Sequence, residues 1–322
     1  MSKTNTLHIN GIVTIVSTAS TIEELIDWSS LRLVDFACAT GARAMCLPAY
    51  ASEFYKLSET ERLQLVAEAV RQAAGRLPVL AQVNFVSLPQ AVETPREVER
   101  MGASAIAAAV PRMFAFGEPD LWRYFDRLLS SIDIPLMIQD VNPSGPTVTA
   151  RFVSDLHRAH PHFRWIKLEE PMMSSKVVAI LEATSGEVGV LEGWGGMYML
   201  DLIPAGICGV MPGLAISDVL AKVFQLATHN DLVGAYQVHE GALPQISFSL
   251  QHIELFHHTE KRLLVARGIL PSAAVRPLTL QLDRHTDERI AFLNGRILAL
   301  LDQLDLPRHP SLLPSHEGVW EV

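Results

Sequence analysis

The chain has 322 residues, of which 49% are hydrophobic and 19% are charged, and its formal net charge is −9. This composition is typical of a globular protein with enough apolar material for a large core. The acidic balance argues against a nucleic acid or an anionic membrane surface as the partner.

Eight short apolar runs along the chain predict β-strands. Each run is continuously apolar, which is the pattern of parallel strands that are buried on both faces. In chain order the runs are 11–18, 44–49, 77–85, 103–110, 134–141, 163–169, 188–194 and 207–215.

Longer amphipathic segments lie between these strands. Residues 58–75, 118–132 and 173–186 predict helices, and Ser58 with Glu61 three residues later forms a capping box at the start of the first. Regular alternation of strand and helix indicates a parallel sheet with right-handed crossovers. Eight such units predict a closed (β/α)₈ TIM barrel. A doubly wound open sheet is the alternative, but no glycine-rich dinucleotide motif follows a strand.

The strand pattern ends after residue 216. Residues 217–229, 232–267 and 284–304 predict helices, of which the first is the eighth barrel helix. We therefore predict a (β/α)₈ barrel over residues 1–229 and a C-terminal helical extension, packed on the barrel, over residues 230–322.

One charged side chain stands inside the predicted strand 163–169. Alternate residues of a barrel strand point inward, so Lys167 should share its facing with Trp165 and Glu169. It also lies toward the carboxyl end of its strand, where the active sites of barrels form. Burial disfavours the charged form of an amine, and a neutral amine attacks carbonyls to form an imine. The residues leave a second interpretation open, in which Lys167 is paired with Glu169 or Glu170 at the rim.

Segments in a fixed order carry a resemblance to a known family. They are GIVTIVSTAS (11–20), ASEFYKLSETER (51–62), GRLPVLAQV (75–83), IPLMIQDVNP (134–143), FRWIKLEE (163–170), LEGWGGMYMLDLIPAGICGVMPGLA (191–215), EKRLLVARGI (260–269) and VRPLTL (275–280). From about residue 11 to residue 277 the chain resembles the dihydrodipicolinate synthase / N-acetylneuraminate lyase family of Schiff-base barrel enzymes. The resemblance implies that Lys167 forms the imine, and that the chain assembles as a homotetramer or homodimer.

The segment after the second strand departs from the family pattern. The family has a Gly-Thr-Thr-Gly-Glu loop that binds the carboxylate of the keto acid, whereas this chain reads AYASE at 49–53. Tyr50 and Ala51 replace the two threonines. The donors that remain for a carboxylate are the backbone amides along Ala49 to Ala51 and the Tyr50 hydroxyl.

Two tyrosines of the family pattern are also replaced. The proton-shuttling tyrosine of the fifth strand aligns with Gln139, whose amide orients a substrate but transfers no proton at neutral pH. A tyrosine after the fourth strand aligns with Arg112, which offers a two-pronged fork for a carboxylate. The alternative for Arg112 is a rim arginine bonded to a neighbouring acid such as Glu118.

A lyase therefore requires a substitute acid or base. Tyr50, Glu169 and Glu192 are the candidates near the mouth of the barrel, although each also fits a structural role. Gly193 begins a glycine-rich turn that we expect to approach the substrate with its backbone, and Met211 is assigned to the same binding site.

The leading hypothesis is a class I Schiff-base lyase, either an aldolase or a dehydratase, that acts on a 2-oxo acid. A 2-keto-3-deoxy sugar acid or a related pyruvate-derived compound is the expected substrate. The alternatives are a dihydrodipicolinate synthase-type condensation and a catalytically degenerate barrel that binds a metabolite. No cofactor or metal is expected, because neither the three cysteines nor the histidines have ligand spacing. The chain shows no signal peptide and no membrane span, which predicts a cytoplasmic protein.

Overall fold

The computed structural model describes residues 7–85, 87–112, 114–142 and 147–309. Within these residues, eight parallel strands close into a barrel in sequential order, each paired with its neighbours in the chain and the last paired with the first. The predicted TIM barrel is therefore confirmed, and every predicted apolar run contains its strand. The strands are β1 (Gly11–Ile15), β2 (Ala44–Leu47), β3 (Val79–Gln82), β4 (Ala105–Ala109), β5 (Leu136–Val141), β6 (Phe163–Glu169), β7 (Gly189–Glu192) and β8 (Gly209–Val210).

Helices connect the strands and extend beyond the last one. In the described part of the chain the α-helices are α1 (Arg32–Ala39), α2 (Glu59–Ala73), α3 (Leu88–Arg100), α4 (Glu118–Leu129), α5 (Ala150–Ala159), α6 (Ser174–Thr184), α7 (Met199–Leu202), α8 (Ser217–Thr228), α9 (Leu232–Ser249), α10 (Ile253–Ala266) and α11 (Arg284–Gln303). None of these described helices has both the length and the apolar character that crossing a bilayer takes.

Two local predictions can be compared with these bounds. The capping box of α2 is confirmed, since the Glu61 amide donates to Ser58 Oγ at 3.2 Å and the Ser58 amide donates to Glu61 Oε2 at 2.8 Å. A single helix over 232–267 is wrong. The chain breaks at residues 250–252, where His252 adopts an extended backbone and its side chain accepts from the next helix as an N-cap.

The barrel has two apolar layers, and strand alternation separates them. Ile166 and Leu168 of β6 belong to the outer layer between the sheet and the helices. The inner layer fills the lumen and includes Val13, Ile15, Ala44, Cys46, Leu80, Ala105, Ala107, Met137, Trp165, Leu191 and Met211. Trp165 thus faces the lumen, as predicted, and Lys167 two residues later shares that facing.

The C-terminal helices are joined to the barrel by a buried cluster of charges, which we call the α10 ion cluster: Glu53, Lys56, Glu254 and Lys261. Lys261 and Glu53, each 1% exposed, form an ion pair. Lys56 Nζ lies 3.1 Å from Glu53 Oε2 and 2.6 Å from Glu254 Oε2. Since Glu53 and Lys56 follow β2 while the other two belong to α10, the cluster ties the extension to a loop at the carboxyl end of the barrel.

Candidate active site

Lys167 and Glu169 lie side by side on the lumen face of β6. Lys167 is 4% exposed and Glu169 is 9% exposed, and Lys167 Nζ lies 2.7 Å from Glu169 Oε1. Glu170 points elsewhere and pairs with Lys176 at 3.0 Å. The structure therefore contains the ion pair between Lys167 and Glu169 that was the second interpretation of the sequence. An ammonium cannot attack a carbonyl, so a nucleophilic Lys167 requires a base to take its proton, and Glu169 is in contact to do so.

Glu169 is held by a chain of side-chain amides that crosses the lumen. Gln139 Nε2 donates to Glu169 Oε1 at 2.6 Å, and Gln82 Nε2 donates to Gln139 Oε1 at 2.6 Å. Gln139 is the register partner of Lys167 on the adjacent strand. The structure thus places Gln139 in contact with Glu169, the carboxylate next to Lys167.

The sequence pattern did not lead us to name Gln82 as a site residue, although the alternation of its strand indicates that it faces the lumen. In the run LPVLAQVNF, Leu80 and Gln82 alternate, and Leu80 is an inner-layer residue. The same period of two places Gln82 in the lumen. A polar residue on the inward face of an otherwise apolar strand is the pattern that also identified Lys167.

Tyr50 belongs to a short 3₁₀ helix, Tyr50–Ser52, that follows β2, with Ala49 at its N-cap. Burial raises the pKa of the Tyr50 hydroxyl, and the nearby charge of Glu169 raises it further. Tyr50 is therefore a protonated donor within the electrostatic range of Glu169. Ala49 is buried at 2% exposure among the inner-layer residues, and Ala51 packs against them, so the loop lies at the edge of the lumen.

Glu192 has backbone partners that give it a structural role. Its Oε2 accepts from the Gly196 amide at 2.8 Å and its Oε1 accepts from the Tyr198 amide at 3.2 Å, which holds the turn after β7. Burial raises the pKa of Glu192 to about 7, although the two amides and the charge of Lys167 oppose this rise. Glu192 thus lies near Lys167, but its oxygens accept hydrogen bonds from the turn.

Gly193 is needed because Glu169 packs directly on it. A Cβ added at Gly193 would lie 2.3 Å from Glu169 Cγ and 2.8 Å from the Leu168 carbonyl oxygen. The Gly193 amide also donates to that carbonyl at 2.9 Å. The residue was assigned to substrate contact from the sequence, and the structure shows that it makes room for the carboxylate beside Lys167.

Met211 lies in the lumen, whereas Arg112 is paired with an acid that faces away from it. Met211 is 2% exposed within the inner layer, and its amide donates to the Glu192 carbonyl at 2.9 Å. Arg112 lies on Asp140, with 2.5 Å between its guanidinium nitrogen and Asp140 Oδ1. Asp140 follows Gln139 and faces away from the lumen. This geometry corresponds to the rim arginine paired with an acid, with Asp140 rather than Glu118 as the acid.

Side chains that could bind a metal do not cluster at the site. Across the described residues, no group of three or more His, Cys, Asp or Glu side chains is arranged to hold a metal ion. The polar groups described in the lumen include an amine, a carboxylate and amides, which suit covalent and acid–base chemistry on an organic substrate.

A closed parallel barrel with a lysine and a contacting carboxylate at the carboxyl end of one strand is an arrangement that a class I, lysine-imine type of enzyme can use. The profile of the Dihydrodipicolinate synthetase family matches residues 8–283, and the chain belongs to this family. It is a class I lyase of the family.

The chain is also similar to individual proteins in sequence and in fold. The chain is 24% identical to L-2-keto-3-deoxyarabonate dehydratase from Azospirillum brasilense over 310 residues, which are 95% of this chain and 97% of that protein. The solved structure of 4-hydroxy-tetrahydrodipicolinate synthase from Methylacidiphilum fumariolicum SolV has a TM-score of 0.84 at 19% identity, over 92% of this chain and 98% of that one. A prophage protein of the dihydrodipicolinic acid synthase family from E. coli K12, solved in complex with pyruvate, has a TM-score of 0.77 at 22% identity and covers 92% of this chain and 99% of its own.

Proposed function

We propose that this chain is a dehydratase that forms an imine between Lys167 and the C2 carbonyl of a 2-keto-3-deoxy sugar acid and then eliminates water across C3 and C4. The observation that carries the proposal is the 2.7 Å contact between Lys167 Nζ and Glu169 Oε1 on the lumen face of β6. Similarity to the keto-deoxy-arabonate dehydratase over nearly the whole of both chains supports dehydration over carbon–carbon cleavage.

The first step makes the imine. Glu169 accepts a proton from the Lys167 ammonium, and the neutral amine attacks C2 of the substrate. The C2 oxygen takes one proton from the attached amine and one from Glu169 and leaves as water, which returns Glu169 to its carboxylate form. The resulting protonated imine withdraws electrons from C3. This electron withdrawal makes the C3 hydrogen acidic enough for a carboxylate to remove.

The second step eliminates the C4 hydroxyl. Glu169 removes a proton from C3 to leave an enamine. The C4–O bond then breaks as Glu169 returns that proton to the C4 oxygen, which leaves as water. Hydrolysis of the resulting conjugated imine consumes one water, frees Lys167 and releases a 3,4-unsaturated 2-oxo acid. The balance over the cycle is the loss of one water from the substrate. Glu169 serves as the base because Gln139, at the position of the family tyrosine, carries no transferable proton.

Binding of the substrate carboxylate is assigned to the segment after β2. We assign it to the backbone amides at Tyr50 and Ala51 and to the Tyr50 hydroxyl, because Tyr50 lies within range of Glu169 and its raised pKa keeps the hydroxyl protonated. Arg112 is left out of this assignment, because its guanidinium lies on Asp140.

The imine is tested with pyruvate, which needs no knowledge of the sugar acid. The protein is incubated with pyruvate and borohydride, and the reduced adduct is mapped by peptide mass spectrometry. We expect the adduct on Lys167 and none in Lys167→Met. A protein that carries no adduct at Lys167 with pyruvate or any other 2-oxo acid contradicts the proposal.

The role of Glu169 is tested by the exchange of the pyruvate methyl hydrogens in D₂O, followed by NMR, because exchange requires both the imine and a base at C3. Glu169→Gln should slow exchange by about 10²-fold or more. Glu170→Gln is the matched control, since Glu170 is adjacent in sequence but pairs with Lys176. Exchange that is equally fast in Glu169→Gln and the unaltered protein would remove Glu169 from the mechanism.

Dehydration is separated from aldol cleavage by the products. A series of 2-keto-3-deoxy sugar acids is incubated with the protein and followed by NMR. An unsaturated or rearranged 2-oxo acid with the full carbon skeleton supports dehydration, whereas pyruvate plus an aldehyde would show cleavage from the same imine.

Assembly and location complete the proposal. We propose a homodimer or homotetramer, as the family resemblance implies; the exposed apolar side chains Phe114 and Phe116 after β4, 67% and 37% exposed, are consistent with a covered surface. Native mass spectrometry distinguishes these states from a monomer. A cytoplasmic location is proposed with it, since the three cysteines are free thiols.

A further inference from the structure

We infer that Gln82 is a positioning residue that fixes the amide of Gln139 with its donor end toward Glu169. The inference rests on the proposed function, in which Glu169 is the base. It concerns a residue that never contacts the reacting lysine and acts through two intervening groups.

The hydrogen bonds of Gln82 define which way its own amide points. Gln82 is 5% exposed, and its Nε2 donates to Gln139 Oε1 at 2.6 Å and to Asn84 Oδ1 at 3.4 Å. At the other end, Gln82 Oε1 accepts from the Cys46 thiol at 3.7 Å. The two acceptors, Gln139 Oε1 and Asn84 Oδ1, therefore face Gln82 Nε2. The Cys46 thiol, which is a donor, faces Gln82 Oε1.

The orientation of the Gln82 amide in turn determines the orientation of the Gln139 amide. A glutamine side chain has an acceptor at one end and a donor at the other. Because Gln139 Oε1 accepts a hydrogen bond from Gln82, Gln139 Nε2 points toward Glu169 Oε1, to which it donates at 2.6 Å. If the Gln139 amide turned over, its oxygen would face the carboxylate, and two acceptors would repel each other.

The bridge between Gln82 and Gln139 depends on the small residues of the strand between them. β4 separates β3 from β5, and neighbouring strands lie about 4.8 Å apart, so the two glutamines come from strands about 10 Å apart. Gln82 is in register with Ala107, and Gln139 is in register with Ala109. Because the β4 side chains beneath the bridge are methyl groups, the two amides can meet above them.

Gln82 therefore acts through Glu169 on the rates of proton transfer, whereas the final yield of trapped imine depends on the presence of Lys167. Without its donor, the Gln139 amide is free to turn, and the Glu169 carboxylate loses a charge-assisted hydrogen bond that holds it in place. Lys167 and its access to a carbonyl are unchanged. We expect a variant of Gln82 to reach the same final yield of trapped imine and to exchange the C3 hydrogens slowly.

The experiment compares three variants of the full chain with pyruvate as the probe. Gln82→Met keeps the length of the side chain without its hydrogen bonds. Gln82→Glu offers only acceptors when ionised and so draws Gln139 Nε2 away from Glu169. Gln245→Met is the matched control, because Gln245 is also 5% exposed but lies on α9, where it bonds Asn294.

Each variant is measured for borohydride trapping at Lys167, for methyl exchange in D₂O and for its melting temperature. Gln82→Met should trap pyruvate within twofold of the unaltered protein and exchange about tenfold more slowly, the effect of losing a hydrogen bond worth one factor of ten. Gln82→Glu should be slower still, and Gln245→Met should exchange at the unaltered rate.

Failure of the inference and failure of the proposed function give different results. No trapping in the unaltered protein overturns the proposed function. Normal trapping and exchange in the unaltered protein, with exchange as fast in Gln82→Met, overturns only the inference. An equal loss of exchange in Gln245→Met also overturns it, because general loosening of the fold would then explain the effect.

Discussion

In the proposed mechanism, replacing Gly193 with alanine should displace the base, Glu169, while leaving Lys167 in place. The added Cβ would lie 2.3 Å from Glu169 Cγ and 2.8 Å from the Leu168 carbonyl oxygen. The carbonyl belongs to the backbone of β6, so the Glu169 side chain is the partner that must give way. Carbon atoms in contact sit about 3.5–4.0 Å apart, which requires Glu169 Cγ to move by more than about 1 Å.

A shift of this size has two measurable consequences. Misplacing a catalytic group by about 1 Å costs about 10²-fold in rate, so methyl exchange of pyruvate should fall by about that factor. Overpacking a close-fitted site costs about 1–3 kcal/mol, which should lower the free energy of unfolding measured by urea titration. The final yield of borohydride trapping at Lys167 should persist, because the three atoms nearest to the new methyl group belong to Glu169 and Leu168 and not to Lys167.

Gly189→Ala is the matched control for the overpacking alone. It lies at the other end of β7, where an added Cβ would meet Cys208 Sγ at 2.7 Å and Trp165 Cδ1 at 2.9 Å. We expect a similar loss of stability with exchange close to normal. If Gly193→Ala exchanges pyruvate within threefold of the unaltered protein, the positional argument for Glu169 is refuted.

Three further changes test the energetics of the fold. Lys261→Met leaves the buried Glu53 with Lys56 as its remaining ion-pair partner, so urea titration should show a loss of about 3 kcal/mol. The double variant Lys261→Met with Glu53→Gln should be less destabilised than the single variant. Burial raises the pKa of Glu260 to about 7, above its unfolded value of about 4.3, so the folded chain binds this proton more tightly and stability falls as the pH rises through 7. Glu260→Gln should therefore flatten the decline between pH 5 and 8 by on the order of 1–3 kcal/mol, seen in urea titrations at each pH. Ser58→Ala removes the N-cap of α2 and should lower the melting temperature by the equivalent of about 1 kcal/mol.

The barrel itself was predictable because its strands are buried on both faces. That burial produces short, continuous apolar runs, and a charged residue within such a run is visible at once. The pair Lys167 and Glu169 followed from the alternation of one strand, which needs no knowledge of its neighbours. The capping box of α2 is equally local, since Ser58 and Glu61 are three residues apart.

What the sequence did not reveal depends on residues far apart in the chain. Gln82 and Gln139 are 57 positions apart, and their bond exists only because β4 between them presents alanines. The acid that pairs with Arg112 was predicted nearby, but the chain offers several acids and only the fold selects Asp140. The break at 250–252 has no glycine or proline to mark it. The helical pattern of apolar residues therefore continued through it and predicted a single helix.

The α10 ion cluster bears on any attempt to shorten this protein. Trimming the chain at residue 229, the predicted end of the barrel, would take away Lys261 and Glu254 together. Glu53 would lose one of its two cations and Lys56 one of its two carboxylates, a few residues beyond Tyr50. A minimal scaffold must therefore retain α10, or neutralise both remaining groups before the cut is made.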